Sequence, residues 1–281
     1  MDDKDKEQEA AMSPPVVLCF SGHDPVGGAG IQADIETLAS LGCHASTVVT
    51  TLTVQDTHNV QQLTAMDAMG LVSQARAVLE DLPVKAVKIG LLGSAEIAQA
   101  IHSILVDYPD LPVVIDPVLV AGGGSSLSDE KLLSVLRALL LPQATVLTPN
   151  HPELLQLALE ADCPQSAAHE LMEIGCDYIL ATGTHADTDQ VVNTLWGFQR
   201  QIHECQWPRL AQEYHGSGCT LASAVAGFLA HGMTPESAAR DAQNYTWNSL
   251  KHGRRIGMGQ WLPDRLFWAS QGSGNLWEKG N

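Results

Sequence analysis

The chain has 281 residues, of which 45% are hydrophobic, and its formal net charge at pH 7 is -17. This length and composition allow a large buried core and suit a single large α/β domain. The 15 basic residues against 32 acidic ones argue against nucleic-acid and anionic-membrane partners, because phosphate-rich surfaces attract basic proteins.

The ends of the chain and the cysteines indicate its organisation and location. We predict a disordered leader over residues 1–13, a single domain over residues 14–270 and a tail over residues 271–281. The first 12 residues lack the apolar core of a signal peptide, and no run of about 18 apolar residues indicates a membrane span. The six cysteines show neither a CxxC pair nor zinc-ligand spacing. We therefore expect reduced thiols and a cytoplasmic protein.

The first predicted strand leads into a loop that contains a carboxylate. Residues 16–21 are a short apolar run between Pro15 and Gly22, which is typical of a buried strand in an α/β sheet. The glycine-rich segment 22–30 follows and includes Asp24. Because open α/β sheets bind ligands at the carboxyl ends of their strands, Asp24 is a candidate site residue.

A helix and a second strand follow this loop. Apolar spacing from Ile31 predicts a helix that stops at Gly42, and residues 45–52, rich in Val and Thr, predict a strand. The strand runs into a polar segment at residues 53–57 that contains Gln55. A carboxamide offers both a donor and an acceptor to a heterocycle, but an ordinary polar loop residue explains Gln55 equally well at this point.

The alternation of strands and helices continues along the chain. Further helices are predicted over residues 66–82, 94–106, 129–141, 167–175 and 235–250. Further strands are predicted over residues 86–89, 113–115, 145–147 and 178–181, and as a hairpin over 191–198 and 201–207. This pattern predicts an α/β fold with a mostly parallel central sheet, helices on both faces, and strand ends that share one edge.

Two of these strand ends carry acidic residues. Asp116 closes the strand at 113–115, while Asn150 and Glu153 follow the strand at 145–147. Their spacing of three places both side chains on one side of a first helical turn, where they can hold hydrated magnesium. The same spacing suits a capping box, in which Asn150 and Glu153 satisfy each other's backbone donors. Local sequence fits both interpretations.

A glycine-rich segment precedes the apolar run at residues 222–230. Gly216 and Gly218 flank Ser217, and the apolar run behind them predicts a helix whose first turn leaves N–H donors for an anion. Cys219 lies at the start of this turn. It is either a base whose ionisation the helix dipole adjusts, or a buried structural cysteine.

Several separated motifs occur together in one order. They occupy residues 22–34, 52–57, 88–92, 116–118, 148–153 and 215–221. With these motifs the chain resembles the hydroxymethylpyrimidine/phosphomethylpyrimidine kinases of thiamin biosynthesis over roughly residues 15–260. The strings GGAGIQAD and HG-x-GCTL are distinctive in combination.

The resemblance implies a ribokinase-like three-layer sandwich that uses ATP and Mg2+. It implies phosphorylation of the hydroxymethyl group of 4-amino-5-hydroxymethyl-2-methylpyrimidine and then of the monophosphate, by a homodimer that binds neither nucleic acid nor membrane. It assigns catalysis to Cys219 as base, with Gly216, Ser217 and Gly218. It assigns the pyrimidine to Asp24, Gln55, Gly22 and Leu91, ATP to Asn150, Thr182 and His185, and magnesium to Glu153 and Asp116.

The chain also departs from the family pattern. Residues 182–185 read Thr-Gly-Thr-His where the family has Lys-Gly-Gly-His, and His23 replaces a serine. Because phosphoryl transfer concentrates negative charge, we predict slower phosphorylation of the anionic monophosphate than of the alcohol. His23 and His185 either restore positive charge when protonated or remain neutral loop residues. Two alternative functions stay open: a pyridoxal kinase of the same fold, and a pyrimidine-binding protein without turnover.

Overall fold

The computed structural model describes residues 13–184 and 188–269. The predicted leader apart from Ser13, the predicted tail and His185 lie outside the described residues.

A twisted sheet runs through the middle of the described domain. Its strands are β1 (Val16–His23), β2 (His44–Gln55), β3 (Val60–Ala65), β4 (Val84–Ile89), β5 (Val113–Ile115), β6 (Val146–Leu147), β7 (Tyr178–Thr182), β8 (Gln190–Gly197) and β9 (Arg200–Pro208). Their order is β3-β2-β1-β4-β5-β6-β7-β8-β9. The six central strands, β2-β1-β4-β5-β6-β7, pair in parallel with their neighbours. The edge strand β3 pairs antiparallel with β2, and at the other edge β8 pairs antiparallel with β7 and β9. The order reverses between β1 and β4, which is where open α/β sheets form a binding crevice.

Helices cover both faces of the sheet. They are α1 (Gly30–Ser40), α2 (Ala68–Asp81), α3 (Ala95–Leu105), α4 (Glu130–Val135), α5 (His151–Leu157), α6 (Pro164–Glu173), α7 (Ser217–Ala230) and α8 (Pro235–Lys251). Helices α2 to α6 share one hydrophobic core with the sheet, and α1, α7 and α8 share the other. The expected three-layer α/β sandwich is confirmed. None of the described helices combines the length and apolarity that crossing a bilayer requires.

Local sequence explains most helix starts. Ser94 was expected to cap a helix, and its hydroxyl accepts the Ile97 N–H at 3.3 Å. Asp67 and Asp129 cap α2 and α4 in the same way. These caps satisfy N–H groups that have no partner inside the helix.

Two predicted boundaries were wrong, and one strand was missed. Residues 53–55 continue β2 instead of forming a loop, because they pair with β3. Strand β3 itself was not predicted, because this polar edge strand is half-buried or exposed throughout and shows no apolar alternation. The helix predicted at 129–141 stops being regular after Val135 and continues as a π turn (Leu136–Leu140) and a 3-10 turn (Leu141–Gln143) that contains Pro142.

Candidate active site

A cleft of about 720 Å³ lies along the carboxyl edge of the parallel strands. It gathers every predicted site residue that the structure describes. These are Gly22, Asp24, Gln55, Leu91, Asp116, Asn150, Glu153, Thr182, Gly216, Ser217, Gly218 and Cys219. The thirteenth, His185, lies outside the described residues.

The glycine-rich segment forms the start of α7 itself. Gly216 has a φ of +84° and is the N-cap, so the helix begins at Ser217, five residues before the apolar run. A Cβ at Gly216 would lie 1.7 Å from the carbonyl oxygen of Gly28, so no other residue fits there. The first-turn N–H groups of residues 217–219 have no acceptor within the helix. Residues 217–219 line the cleft, and their role as an anion cradle stays a prediction.

Cys219 is half-buried in the third position of this helix. Burial, together with the charges of Asp116 and Asp34, raises the pKa of its thiol to about 12, against the opposing effects of Lys88 and the Gly30 N–H. The thiol in turn acts to lower the pKa of Asp116. In the ligand-free protein Cys219 is therefore a neutral thiol, and an anionic form requires additional positive charge nearby.

Asp116 and Glu153 are two buried carboxyl groups with surplus negative charge. Burial raises the pKa of Asp116 to about 6, while Lys88 and Cys219 lower it. Burial and the charge of Asp116 raise the pKa of Glu153 to about 7. Across residues 13–184 and 188–269, neither carboxylate forms an ion pair.

This donor set fits a magnesium ion. The described residues contain no cluster of three or more His, Cys, Asp or Glu side chains that would form a dedicated cage. Magnesium instead prefers one or two carboxylates, with water and phosphate oxygens in the other positions. Burial is the main cause that raises both pKa values, and a cation beside Asp116 and Glu153 would stabilise their charged forms against it.

The capping interpretation of Asn150 and Glu153 is confirmed. The Asn150 side-chain oxygen accepts the Glu153 N–H at 2.9 Å, and Glu153 Oε2 accepts the Asn150 N–H at 3.0 Å. Glu153 Oε1 also accepts the Leu119 N–H at 3.1 Å. These bonds hold the Glu153 carboxylate at the floor of the cleft, so capping and cation binding are compatible.

Asp24 organises the loop after β1. Its carboxylate accepts the N–H groups of Val26 and Ala29, each at 2.8 Å, and lies 2.9 Å from His215 Nε2. Burial acts to raise the pKa of Asp24, but these hydrogen bonds and the His215 interaction hold it below its usual value. Asp24 thus joins the first loop to the segment before α7, and a direct contact with substrate remains a prediction.

Gln55 and Leu91 line the cleft near the start of the same loop. Gln55 ends β2 and donates from Nε2 to Thr53 Oγ1 at 2.8 Å, and Thr53 donates to the His23 carbonyl at 2.9 Å. Leu91 packs against Gly22, where an added Cβ would lie 3.1 Å from its Cδ2 atom. A ring-shaped substrate therefore has an apolar contact and a carboxamide within one pocket.

Comparison with known proteins identifies the family. A family model described as phosphomethylpyrimidine kinase matches residues 24–264. The chain belongs to this family. It is 38% identical over 254 residues to a hydroxymethylpyrimidine/phosphomethylpyrimidine kinase from Synechococcus elongatus, covering 89% of this chain and 96% of that protein. A relative of the same name from Streptomyces coelicolor is also 38% identical, covering 88% of this chain and 93% of that protein.

Solved structures agree with this assignment. The kinase matches a pyridoxal kinase from Bacillus subtilis in an ADP complex with a TM-score of 0.82 and 25% identity, over 92% of this chain and 99% of that one. It matches a phosphomethylpyrimidine kinase from Clostridium difficile with a TM-score of 0.73 and 30% identity, over 84% and 99%. The protein is therefore a phosphotransferase with the expected ribokinase-like fold.

A buried lysine of the kinase had no predicted role. Lys88 is fully buried, and its Nζ donates to Asp34 Oδ1 and Ser21 Oγ, each at 2.8 Å. Ser223 donates to the same Asp34 oxygen at 2.6 Å. Burial alone would lower the pKa of Lys88, but Asp34, Cys219 and Asp116 raise it above its ordinary value. A lysine within the apolar strand β4 was a sequence signal for this cluster.

The far end of the cleft was also missed by sequence reasoning. Trp207 stacks on Trp247 with ring centroids 6.1 Å apart, and its Nε1 donates to Gln243 Oε1 at 3.2 Å. Arg209 donates to the carbonyls of Thr188 and Thr184 at 2.6 and 2.9 Å. These residues belong to β9, α8 and nearby loops, in which the sequence showed no motif.

Proposed function

We propose that this kinase transfers the γ-phosphoryl group of ATP to the hydroxymethyl group of 4-amino-5-hydroxymethyl-2-methylpyrimidine and, more slowly, to the resulting monophosphate. One observation carries the proposal. Cys219, the first turn of α7 and the Asp116 and Glu153 carboxylates meet at one place in the cleft. Relatives at 38% identity are named for both phosphorylation steps.

The start of α7 makes the main electrostatic contribution to stabilising the transferred phosphoryl group. Phosphoryl transfer depends mostly on aligning two oxygens and neutralising charge on the moving group. The N–H groups of Ser217, Gly218 and Cys219 donate to the oxygens of that group, and the helix dipole favours the same negative charge. Bound magnesium, held by Asp116 and Glu153, would supply charge neutralisation at the ATP phosphates.

Cys219 receives the proton of the substrate hydroxyl. Because the transition state of phosphoryl transfer is loose, the attacking oxygen keeps its proton until its bond to phosphorus is well advanced. Only the thiolate can accept this proton, and a thiol whose pKa is raised to about 12 is almost entirely protonated. We therefore assign the Cys219 thiol to orienting the hydroxyl. Once positive charge nearby has favoured loss of the thiol proton to solvent, the thiolate accepts the hydroxyl proton late.

Other residues bind the two substrates. Gln55 and Leu91 contact the pyrimidine, with Gly22 leaving room for it and Asp24 holding the loop against it. Asn150 and Thr182 bind ATP, as does His185, which lies outside the described residues. Support for ATP comes from the neighbouring kinases solved with ADP and with AMP-PCP.

The test is replacement of Cys219 by alanine and by serine. We expect kcat to fall by about 100- to 1,000-fold in the alanine variant, with ATP binding by calorimetry unchanged. Cys163→Ser, at the exposed start of α6, is the matched control and should keep full activity. Full activity of Cys219→Ala would refute the assigned role.

Pyridoxal kinase activity is the second candidate, because pyridoxal kinases reach TM-scores of 0.82 against this chain. Sequence identity favours the pyrimidine: 38% to named pyrimidine kinases against 25% to the Bacillus subtilis pyridoxal kinase. Comparing kcat/KM for pyridoxal with kcat/KM for the pyrimidine alcohol separates the two functions.

We also propose a cytoplasmic homodimer. All six cysteines lie in the described part of the chain and are unpaired, which suits a reducing compartment. Leu52 and Val54, two apart on β2, are 45% and 52% exposed, and a partner subunit would cover them. Light scattering of the purified protein measures the oligomeric state.

A further inference from the structure

The most heavily engaged charged side chain outside the predicted site is Arg265, which follows α8 in the C-terminal segment. Its side chain is 1% exposed. Nη1 pairs with Glu36 Oε2 of α1 at 2.9 Å, and Nε donates to Thr220 Oγ1 of α7 at 3.0 Å. Nη2 donates to the carbonyl oxygen of Gly28.

These contacts connect the two segments that surround Cys219. Thr220 follows Cys219 directly, and its hydroxyl donates to the carbonyl of Gly216 at 2.8 Å. The Thr220 hydroxyl therefore connects the Arg265 guanidinium by hydrogen bonds with Gly216, the N-cap of α7. Its bond to Gly28 fixes the loop whose next turn begins α1.

The loop at Gly28 packs against the start of α7 at Gly216, next to the Arg265 guanidinium that bonds to both segments. A Cβ at Gly216 would lie 3.0 Å from Arg265 Nη2, and a Cβ at Gly28 would lie 2.3 Å from the His215 ring. Gly30 and Cys219 both line the cleft, and the Gly30 N–H acts to lower the pKa of the Cys219 thiol. A shift of the loop would therefore change the surroundings of the reacting sulfur.

We propose that Arg265 is a positioning residue that holds residues 28–30 and the first turn of α7 as one rigid unit, so that Cys219 and the anion cradle face the substrate in register. This inference rests on the proposed role of Cys219. A guanidinium suits the task because its donors form a planar fork that serves several fixed acceptors at once.

Simple anchoring of the C-terminal segment is the competing explanation, and other bonds already supply that anchoring. The Tyr245 hydroxyl donates to the Arg265 carbonyl at 2.7 Å, and the Asp264 N–H donates to the Ser249 carbonyl at 3.0 Å. Leu262 and Arg254 exchange backbone hydrogen bonds at 2.9 and 2.8 Å. Loss of the guanidinium would thus free the loop while the segment stays docked.

Arg265→Met and Arg265→Lys test the proposal in the full-length kinase. Methionine keeps part of the apolar stem and removes the donors. We expect kcat to fall by about 10- to 100-fold in Arg265→Met, with the KM for ATP within about twofold. Arg265→Lys should recover part of kcat, because an ammonium keeps the charge but not the fork. Millimolar guanidinium ion added to Arg265→Ala should also restore part of kcat.

Arg254→Met is the matched control, because Arg254 lies in the same segment and pairs with Asp264 at the surface. It should keep wild-type kcat. Wild-type kcat in Arg265→Met, or an equal loss in Arg254→Met, would overturn the proposal. If Arg265→Met does not fold, Arg265→Lys decides the question: wild-type kcat in that variant refutes the proposal, and a reduced kcat with an unchanged melting temperature supports it.

A readout independent of turnover separates this proposal from the role of Cys219. The alkylation rate of Cys219, followed by mass spectrometry, should rise in Arg265→Met, while the rate at exposed Cys163 stays constant. An unchanged Cys219 rate contradicts the positioning role. Full activity of Cys219→Ala would instead refute the proposed catalytic role, whatever Arg265 does.

Discussion

Two buried charge clusters under the cleft differ in a way that separates their tasks. Lys88 and Asp34 are both fully buried and are paired at 2.8 Å. Asp116 and Glu153 are 5% and 6% exposed, and the ion pairs found among the described residues include neither of them. The first cluster is neutral by itself. The second needs a cation, and it faces the cleft from which one can enter.

The two clusters also influence each other. The positive charge of Lys88 lowers the pKa of Asp116 and of Cys219, against the larger effect of burial. The paired cluster therefore moderates the charge imbalance of the other one without contacting substrate. Variants that change one cluster at a time can test this division.

The largest expected effect comes from Asp116→Asn. We expect at least about a 100-fold loss of kcat, because in the proposed function this carboxylate helps to hold the magnesium that neutralises charge at the ATP phosphates. The same change removes buried repulsion, so the melting temperature without magnesium should rise by about 2–4 °C. Glu173→Gln, at an exposed carboxylate of α6, should change neither value. A lower melting temperature of Asp116→Asn would contradict the charge imbalance.

Lys88→Met should have the next largest effect. It leaves Asp34 buried without its partner, which typically costs about 3–5 kcal/mol of folding free energy. Lys88→Met/Asp34→Asn should recover much of that loss, because no unpaired charge then remains. Lys85→Met, at an exposed lysine of the same strand, is the control. Urea unfolding measures all three, and additive losses in the double variant would disprove the pairing.

A smaller effect should appear as a pH dependence of stability. Folding raises the pKa of Asp116 from 3.8 to about 6 and of Glu153 from 4.5 to about 7. Between those limits the folded state binds more protons than the unfolded chain, so this contribution to stability falls as pH rises. The unfolding free energy of wild type minus Asp116→Asn/Glu153→Gln should decrease from pH 4 to about 7 and then level off. A constant difference would contradict the raised pKa values.

The smallest effect is expected at Thr182, which stands where the family has a lysine. Thr182→Lys should raise kcat/KM for the monophosphate relative to the alcohol by about fivefold, since an exposed charge interaction is worth up to about 1 kcal/mol. Thr188→Lys adds the same charge six residues later in the chain, outside the cleft lining, and should leave the ratio unchanged. Equal efficiency of the wild type on both substrates would remove the basis for this prediction.

Local sequence predicted the parts of the fold that depend on neighbouring residues. The strand at Val113–Ile115 and the Ser94 cap were predicted correctly, because apolar runs and cap residues act within a few positions. Strand β3 was missed, because a polar edge strand forms only when β2 is there to pair with it.

The sequence by itself determined the family, the three-layer fold and the motif residues that line one part of the cleft, since these depend on motifs and periodicity. Cys219 was correctly placed at a helix start inside the site. Tertiary structure alone decided its surroundings: the pairing of Asp24 with His215, the charge of Lys88 below it, and the contacts of Arg265 around it. Those partners are separated by up to 237 residues along the chain, and only folding brings them within hydrogen-bonding distance.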